Sequence, residues 1–235
     1  MSNLVLNDAI EVYKHFEGRI IDMMPPLIEE GRTPLSARGL MRRRLQVLSS
    51  ADAVKASWWN NYVDTGDGIA YHPDGRIKVV PDSRHLRELN TESRLFTGSL
   101  VLEDGVFDSL EGTEFTPKDV KKYAQNRVLT ETEVTQNPVW LALARDQVLL
   151  QEYAGETFRQ AKERFNRDNN MGVYVHEAPE KAIMRALFVG ALVDNYYSDA
   201  DGYYGGLDYG GGRLVGVAPE AQVRENDQVV KPTHE

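Results

Sequence analysis

A chain of 235 residues has room for one large or two small domains, and 41% hydrophobic with 27% charged residues is the make-up of an ordinary globular protein with a sizeable core. Its 27 Lys and Arg against 36 Asp and Glu leave a formal net charge of −9, which argues against nucleic acid and against anionic membrane surfaces as partners, since both require an excess of cations on one face. The absence of cysteine excludes disulfide scaffolds, zinc–thiolate sites and cysteine nucleophiles.

Met1 to Asp8 has no basic segment followed by an apolar run, so no signal peptide is expected. No apolar run reaches membrane-spanning length, so no membrane insertion is expected either, and the location is left open. Residues 5–24 read as an amphipathic helix, with Ile10, Tyr13, Phe16, Ile20 and Met24 at helical spacing and Pro25-Pro26 as its stop. Thr33 with Pro34 reads as the cap and first turn of a second helix, with Leu40, Met41, Leu45 and Leu48 on its buried side. Arg42, Arg43 and Arg44 cannot all face one way, and most of this run is expected in solvent.

Trp58-Trp59-Asn-Asn-Tyr62 is expected to open a strand-rich section. Residues 69–72 and 76–80 flank Pro73-Asp74-Gly75 and predict a β-hairpin; residues 99–102 and 106–107 around Glu103-Asp104-Gly105 predict another. Asp64-Thr65-Gly66 has the composition of an aspartic-protease triplet but no second copy, and reads as a turn. Thr116-Pro117, with Asp119 behind it, opens a helix. Asn137-Pro138 opens the longest one, to about Phe165, with Leu143, Leu150, Ala154, Phe158, Ala161 and Phe165 as its apolar stripe. Residues 171–176 read as a strand, and residues 218–235 as a flexible tail.

The organising stretch is Asp194 to Gly212, built almost wholly from Tyr, Asp, Gly, Ser and Asn between two apolar strand-like runs, 186–193 and 213–217. It has too few apolar residues to form a core and too many Gly and Asp to form a helix. Tyr, Ser, Gly and Asn are the residues of antibody paratopes, where Tyr supplies stiff contact area and the others adaptable hydrogen bonds. The same set is reached from an asparagine codon, AAC or AAT, by replacing its adenines.

This segment resembles the variable region of proteins diversified by retroelements, the variable proteins of diversity-generating retroelements. Residues 187–192 look like the strand leading in, and residues 213–220 like the fixed end. The match covers about the last fifth of the chain, a share judged from the sequence alone. The resemblance implies an α+β, C-type-lectin-like fold with N-terminal helices packed on it: a helical segment over 1–50, a lectin-like domain over 51–220 with its variable region at about 187–217, and a tail over 221–235. It implies a non-enzymatic binding protein. The ligand-contacting positions would be Asp194, Asn195, Tyr196, Tyr197, Ser198, Asp199, Asp201, Tyr203, Tyr204, Gly205, Gly206, Asp208, Tyr209, Gly210 and Gly211, with Gly202 and Gly212 as fixed turns. The partner would be a variant-specific ligand, a protein or other surface-exposed macromolecule, and neither cofactor nor metal is expected.

Two other readings stand beside it. One is a structural protein with a low-complexity Gly/Tyr loop. The other is a calcium-dependent carbohydrate-binding lectin using Asp199 and Asp201, although a calcium loop wants a third Asp and a terminal Glu, which are missing here. Enzyme motifs are not found: the five histidines have no i, i+4 pair, there is no nucleophile elbow, and Gly210-Gly211-Gly212 leads into a strand rather than a phosphate-binding helix. The lectin-like fold also resembles that of formylglycine-generating enzymes, which work through the cysteines this chain lacks.

Overall fold

A computed structural model describes residues 12–203 and 206–219. In chain order the elements are β1 (Tyr13–Gly18), α1 (Ile20–Glu29), β2 (Thr33–Pro34), α2 (Ala37–Gln46), a 3-10 turn (Val47–Ser49), α3 (Asp52–Trp59), β3 (Val63–Tyr71), β4 (Ile77–Val80), α4 (Arg84–Arg87), β5 (Leu95–Phe96), β6 (Ser99–Val101) and α5 (Val106–Ser109). There follow β7 (Thr113–Phe115), α6 (Pro117–Tyr123), β8 (Val128–Leu129), α7 (Glu131–Thr135), α8 (Pro138–Ala144), α9 (Gln147–Phe165), β9 (Met171–Tyr174), β10 (Ile183–Val189), β11 (Ala200–Asp201) and β12 (Gly212–Val217).

The strands make one mixed sheet in the order β1-β12-β3-β10-β11-β9-β8, with β4 also on β3 and β6 also on β10. Alternation along the central strands divides two cores. Ile69, Tyr71, Leu187, Val189, Val215 and Val217 face a core shared with α2, α3 and α7 to α9, whereas Ala70, Met184, Ala186 and Leu214 face a smaller one shared with α1, α4 and α5. Successive side chains of a strand point to opposite faces, so strands buried on both sides read as continuous apolar runs.

The first described strand lies antiparallel to the last, Tyr13 opposite Val217 and Gly18 opposite Gly212. This corrects the expected helix over 5–24. The period that fits a helix covers a strand and the first turns of α1, and residues 5–11 lie outside the described part. Pro25 and Pro26 sit inside α1 rather than ending it, because Ile20, Ile21, Met23, Met24 and Leu27 are all buried there. That burial outweighs two missing backbone hydrogen bonds. Thr33-Pro34 is a strand on β12, and the cap of α2 is Ser36, whose Oγ accepts from Gly39 N.

Other expectations are met or corrected by local chemistry. The hairpin of β3 and β4 forms with Tyr71 opposite Ile77, and Thr116 and Asp119 make a full capping box on α6. Trp58 and Trp59 end a helix rather than begin a strand, and residues 106–109 are helical. The expected long helix from Asn137 is broken: Arg145 is left-handed (φ 55°), and Asp146 restarts it by accepting from Val148 N and Leu149 N. Residues 64–66 are in β3, where Asp64 accepts from Arg213 N at 2.6 Å and Thr65 Oγ1 donates to Leu187 O at 2.6 Å.

The basic run is divided three ways. Arg42 is half-buried; Arg43 lies over Tyr13 and Trp58; Arg44 has no exposed surface. Its Nε donates to Trp58 O (2.9 Å), its Nη1 to Tyr153 Oη (2.7 Å) and Ser198 Oγ (3.1 Å), and its Nη2 to Asn61 O and Gly190 O (both 2.9 Å). Every guanidinium donor is used, and the plane lies over Trp59 at 5.6 Å. Arg44→Ala should lower stability by about 3 kcal/mol or more, because buried acceptors left without donors cost about 1–3 kcal/mol each. Arg44→Lys should rescue little, since three donors on one atom cannot reach five divergent acceptors. Urea unfolding of the two variants checks both.

Candidate functional site

The stretch from Asp194 to Gly212 runs from the end of β10, across β11, to the start of β12. It does not lie wholly on the surface. Tyr196, Tyr197, Tyr203 and Tyr209 are 67, 38, 40 and 59% exposed, and Asp194, Asn195, Asp208 and Gly210 are exposed beside them. Gly206 and Gly211 are half-buried; Tyr204 and Gly205 lie outside the described residues.

Ser198 and Asp201 are corrections, because both are buried, and Asp199 is half-buried. Ser198 turns in because its hydroxyl completes the Arg44 cluster, 3.0 Å from Tyr153 Oη. Asp201 turns in because it sits on β11 opposite Phe188 of β10, and its carboxylate caps Tyr203 N at 2.6 Å. Gly202 and Gly212 are buried as well: Gly202 lies in a bend, whereas Gly212, expected as a turn, is the first residue of β12 and pairs with Gly18. A Cβ at Gly202 would strike the Ile69 side chain and the Tyr71 hydroxyl, and one at Gly190, just upstream, would strike Tyr197 O.

What holds the exposed parts is chemistry directed at their main chain. Arg167, just after α9, donates to Tyr196 O and Val193 O at 2.8 Å and also to Asp194 O, and stacks on Tyr197 and Phe165. Arg185 of β10 donates to Tyr203 O (2.6 Å), and Tyr71 of β3 to Gly202 O (3.1 Å). Tyr62 donates to Gly211 O, while its ring meets Phe188 edge-on at 5.8 Å and lies under Arg213. Backbone bonds from Ser198 N to Asn170 O and from Leu207 N to Gly98 O add to these. Each of these loop groups is a peptide group, which every residue type has in common.

Several aromatic and cationic residues of this region lie outside the stretch singled out by composition. His176 stacks on Tyr203 at 5.4 Å, and Tyr62 and Phe188 are half-exposed near Gly211. The aromatic run at Trp58, Trp59 and Tyr62 was the available sequence signal for Tyr62; Arg167 had none. No group of three or more His, Cys, Asp or Glu placed to hold a metal ion is found among the described residues.

Electrostatics separates the carboxylates. Burial pushes the Asp199 carboxyl up to about 8, with neighbouring Asp201 raising it further and the Gly172 backbone hydrogen bond opposing the rise. Its Oδ1 has no partner in the interior. Burial likewise lifts Asp64 to about 6, against the pull of the Arg213 amide and guanidinium.

Two measurements test this arrangement. Loss of Arg167 in an Arg167→Ala variant should raise hydrogen exchange at the Tyr196 and Ser198 amides at least about tenfold while the global unfolding midpoint moves little, because a locally opened segment need not carry the core with it. Asp199 keeps a proton in the folded state between its ordinary 3.8 and about 8 that the unfolded chain has already released. Its contribution is therefore full below about pH 4 and is lost as pH rises through about 8. Asp199→Asn should flatten that decline relative to the parent chain, read as urea midpoints at pH 5, 7 and 9. Parallel curves for the two proteins would show that Asp199 ionises normally.

No family model matches this chain, and no curated protein matches it. Among solved structures, one described as the accommodation of massive sequence variation in Nanoarchaeota by the C-type lectin fold superposes with a TM-score of 0.64, at 17% identity, over 90% of this chain and 99% of that one. At that identity the likeness speaks for architecture alone: an α+β chain with the C-type lectin fold.

Proposed function

We propose that the protein is a non-enzymatic binder that presents the exposed positions of residues 194–211 as a diversified surface on its lectin-like scaffold. The observation that supports this best is the division of labour along the stretch. Four tyrosines stand exposed, while scaffold side chains hold the carbonyls of Tyr196 and Tyr203 and of the neighbouring Val193, Asp194 and Gly211. Large exposed aromatics on a rigidly held chain lose little entropy on binding and supply the anchors of most interfaces.

On this reading Tyr196, Tyr197, Tyr203 and Tyr209 are the anchors, and Asp194, Asn195 and Asp208 select among partners. The ligand is a protein or other macromolecule particular to the variant. The structural neighbour's own description, of massive sequence variation carried by this fold, favours the same reading. The retroelement origin rests on the residue set, which is that of an asparagine codon with its adenines replaced.

The genomic test is a nearby reverse-transcriptase gene together with an adenine-rich near-copy of the DNA that encodes residues 187–217. Absence of both would leave a structural Gly/Tyr loop as the better reading. The physical test is a comparison of substitutions. Tyr196→Ser and Tyr209→Ser together should shift stability by under about 1 kcal/mol, because exposed substitutions usually cost within about 0.5 kcal/mol each. Leu207→Asp, which buries an unpaired charge, should unfold the protein. With a ligand for this variant in hand, at least one Tyr→Ala change among the four should cost about 2 kcal/mol of binding. An alanine scan with every effect outside 194–211 would refute the proposal.

A further inference from the structure

The tyrosine surface adjoins a cavity that owes nothing to the variable stretch. It lies between the β3–β4 hairpin, the start of α6 and the chain that leaves β9, and holds about 240 Å³. Tyr71 and Ile77 are its buried lining; Pro117 and Val120 border it from α6, and His176 and Ala178 from beyond β9. None of its lining residues lies between 194 and 211. His176 joins the two regions, because it borders the cavity while its ring stacks on Tyr203 at 5.4 Å and meets Tyr71 edge-on at 6.3 Å.

The polar groups of this cavity are already engaged. The Tyr71 hydroxyl donates to Gly202 O (3.1 Å) and accepts from His176 N (3.2 Å). Arg76 is met by Asp74 (2.8 Å), Asp108 (2.9 Å) and Glu114 (3.3 Å), and His176 Nδ1 lies 3.1 Å from Glu177 O. No buried side-chain nitrogen or oxygen of the lining lacks a partner among the described residues. The two rim charges, Lys121 and Glu177, are exposed and of opposite sign. What remains for a ligand is ring faces and methyl groups. The walls are also fixed. Ile77 pairs with Tyr71 on one side and with Phe115 on the other, the capping box of Thr116 and Asp119 sets the start of α6, and a Cβ at Gly75 would lie 3.4 Å from Pro117 Cγ. A cavity formed in advance spares a ligand the cost of ordering it.

We propose that this cavity is a constant subsite of the binding surface and takes one aromatic or branched aliphatic side chain of the protein that the tyrosines contact. The proposal rests on the display reading above. The volume is below the roughly 300–1,000 Å³ of pockets that enclose a whole small molecule, so the occupant arrives as one side chain of something larger. A sugar would leave hydroxyls facing rings and methyls without partners. A side chain seated here sits beside Tyr203, which brings the rest of its protein over the tyrosine surface. An apolar anchor in a preformed pocket is what most interface energy comes from. Variants that differ at 196, 197 and 209 keep this pocket, so they would share one anchoring contact and differ in what surrounds it.

The probes are N-acetyl-phenylalaninamide and N-acetyl-leucinamide, titrated into the full chain and followed by amide chemical shifts, with N-acetyl-glycinamide and N-acetyl-lysinamide as controls. At least one apolar probe should shift the Ile77, Val120 and His176 amides saturably. Ala178→Trp, which fills the cavity from an exposed position, and Val120→Glu, which sets a charge at its border, should each weaken that binding about tenfold or more. The melting temperature of Ala178→Trp should match the parent's, which controls for misfolding. Shifts no larger than those from the glycine or lysine probe would overturn the proposal. A second arm uses peptides selected on the parent chain from a random display library. Loss of peptide binding both in Ala178→Trp and in a chain carrying Tyr196→Ser, Tyr203→Ser and Tyr209→Ser together supports one shared surface. Loss in the serine variant alone would overturn the subsite and leave the display reading standing. Loss in Ala178→Trp alone would overturn the shared surface and count against the display reading too, and binding that survives in both would overturn the proposal.

Discussion

The structure turns on the buried guanidinium of Arg44. Its five hydrogen bonds reach α3, the chain just after it, α9, the end of β10 and the first inward residue of the tyrosine-rich stretch. None of the acceptors is a carboxylate, so the charge is met by three carbonyl and two hydroxyl dipoles and by the face of Trp59. A cation taken out of water costs several kcal/mol unless every proton finds an acceptor. That condition makes the cluster all-or-none: helical layer, sheet and loop must be in register together for the charge to be tolerated. Arginine suits the position because its fork spreads donors in fixed directions and hydrates weakly.

From that fixed point outward, the loop is held by its backbone. Arg167, Arg185, Tyr71 and Tyr62 each donate to a carbonyl of the stretch or of its approach. A bond to a carbonyl does not depend on which side chain that residue carries, so the path of the chain and the character of its surface are set by different atoms. Main-chain anchoring of this kind lets a scaffold keep a rigid site without specifying what the site presents. Aromatic stacking of Tyr197 on Arg167 and of Tyr203 on His176 adds side-chain contacts that are particular to this sequence.

Much of this was legible in the sequence where local chemistry is decisive. The turn at Pro73-Asp74-Gly75, the capping box at Thr116 and the strand after the tyrosine-rich stretch formed as read, and the strand before it formed over Ile183–Val189, ending short of residue 193. Reading failed where tertiary burial overrode a local rule. Pro25 and Pro26 lie inside α1 because the apolar face around them is buried, and a basic run that looked solvated contains the most deeply buried cation among the described residues. The break at Arg145 had a visible signal in Asp146, a good cap placed in mid-stripe. Periodicity alone passed over it, because the apolar spacing of α8 continues into α9. Composition likewise marked the tyrosine-rich stretch correctly as one unit but could not sort its residues. Which side chains point out depends on the short strand β11, and a two-residue strand leaves no pattern to read.

That sorting limits what such a surface can vary. Replacing the adenines of an asparagine codon yields Tyr, Asp, Ser and Gly among other residues, a range from no side chain to a large ring. At Tyr196, Tyr203 or Tyr209 any of these has solvent to occupy. At Ser198 a ring has no room, since the hydroxyl is packed between Arg44 and Tyr153 with no exposed surface, and at Gly202 even a methyl group meets Ile69 and Tyr71. Free variation at those inward positions would break the Arg44 cluster or the sheet in most variants. On the proposed reading, the diversified set is therefore narrower than the tyrosine-rich stretch itself. It comprises the outward positions on either side of β11, and the inward ones between them belong to the scaffold.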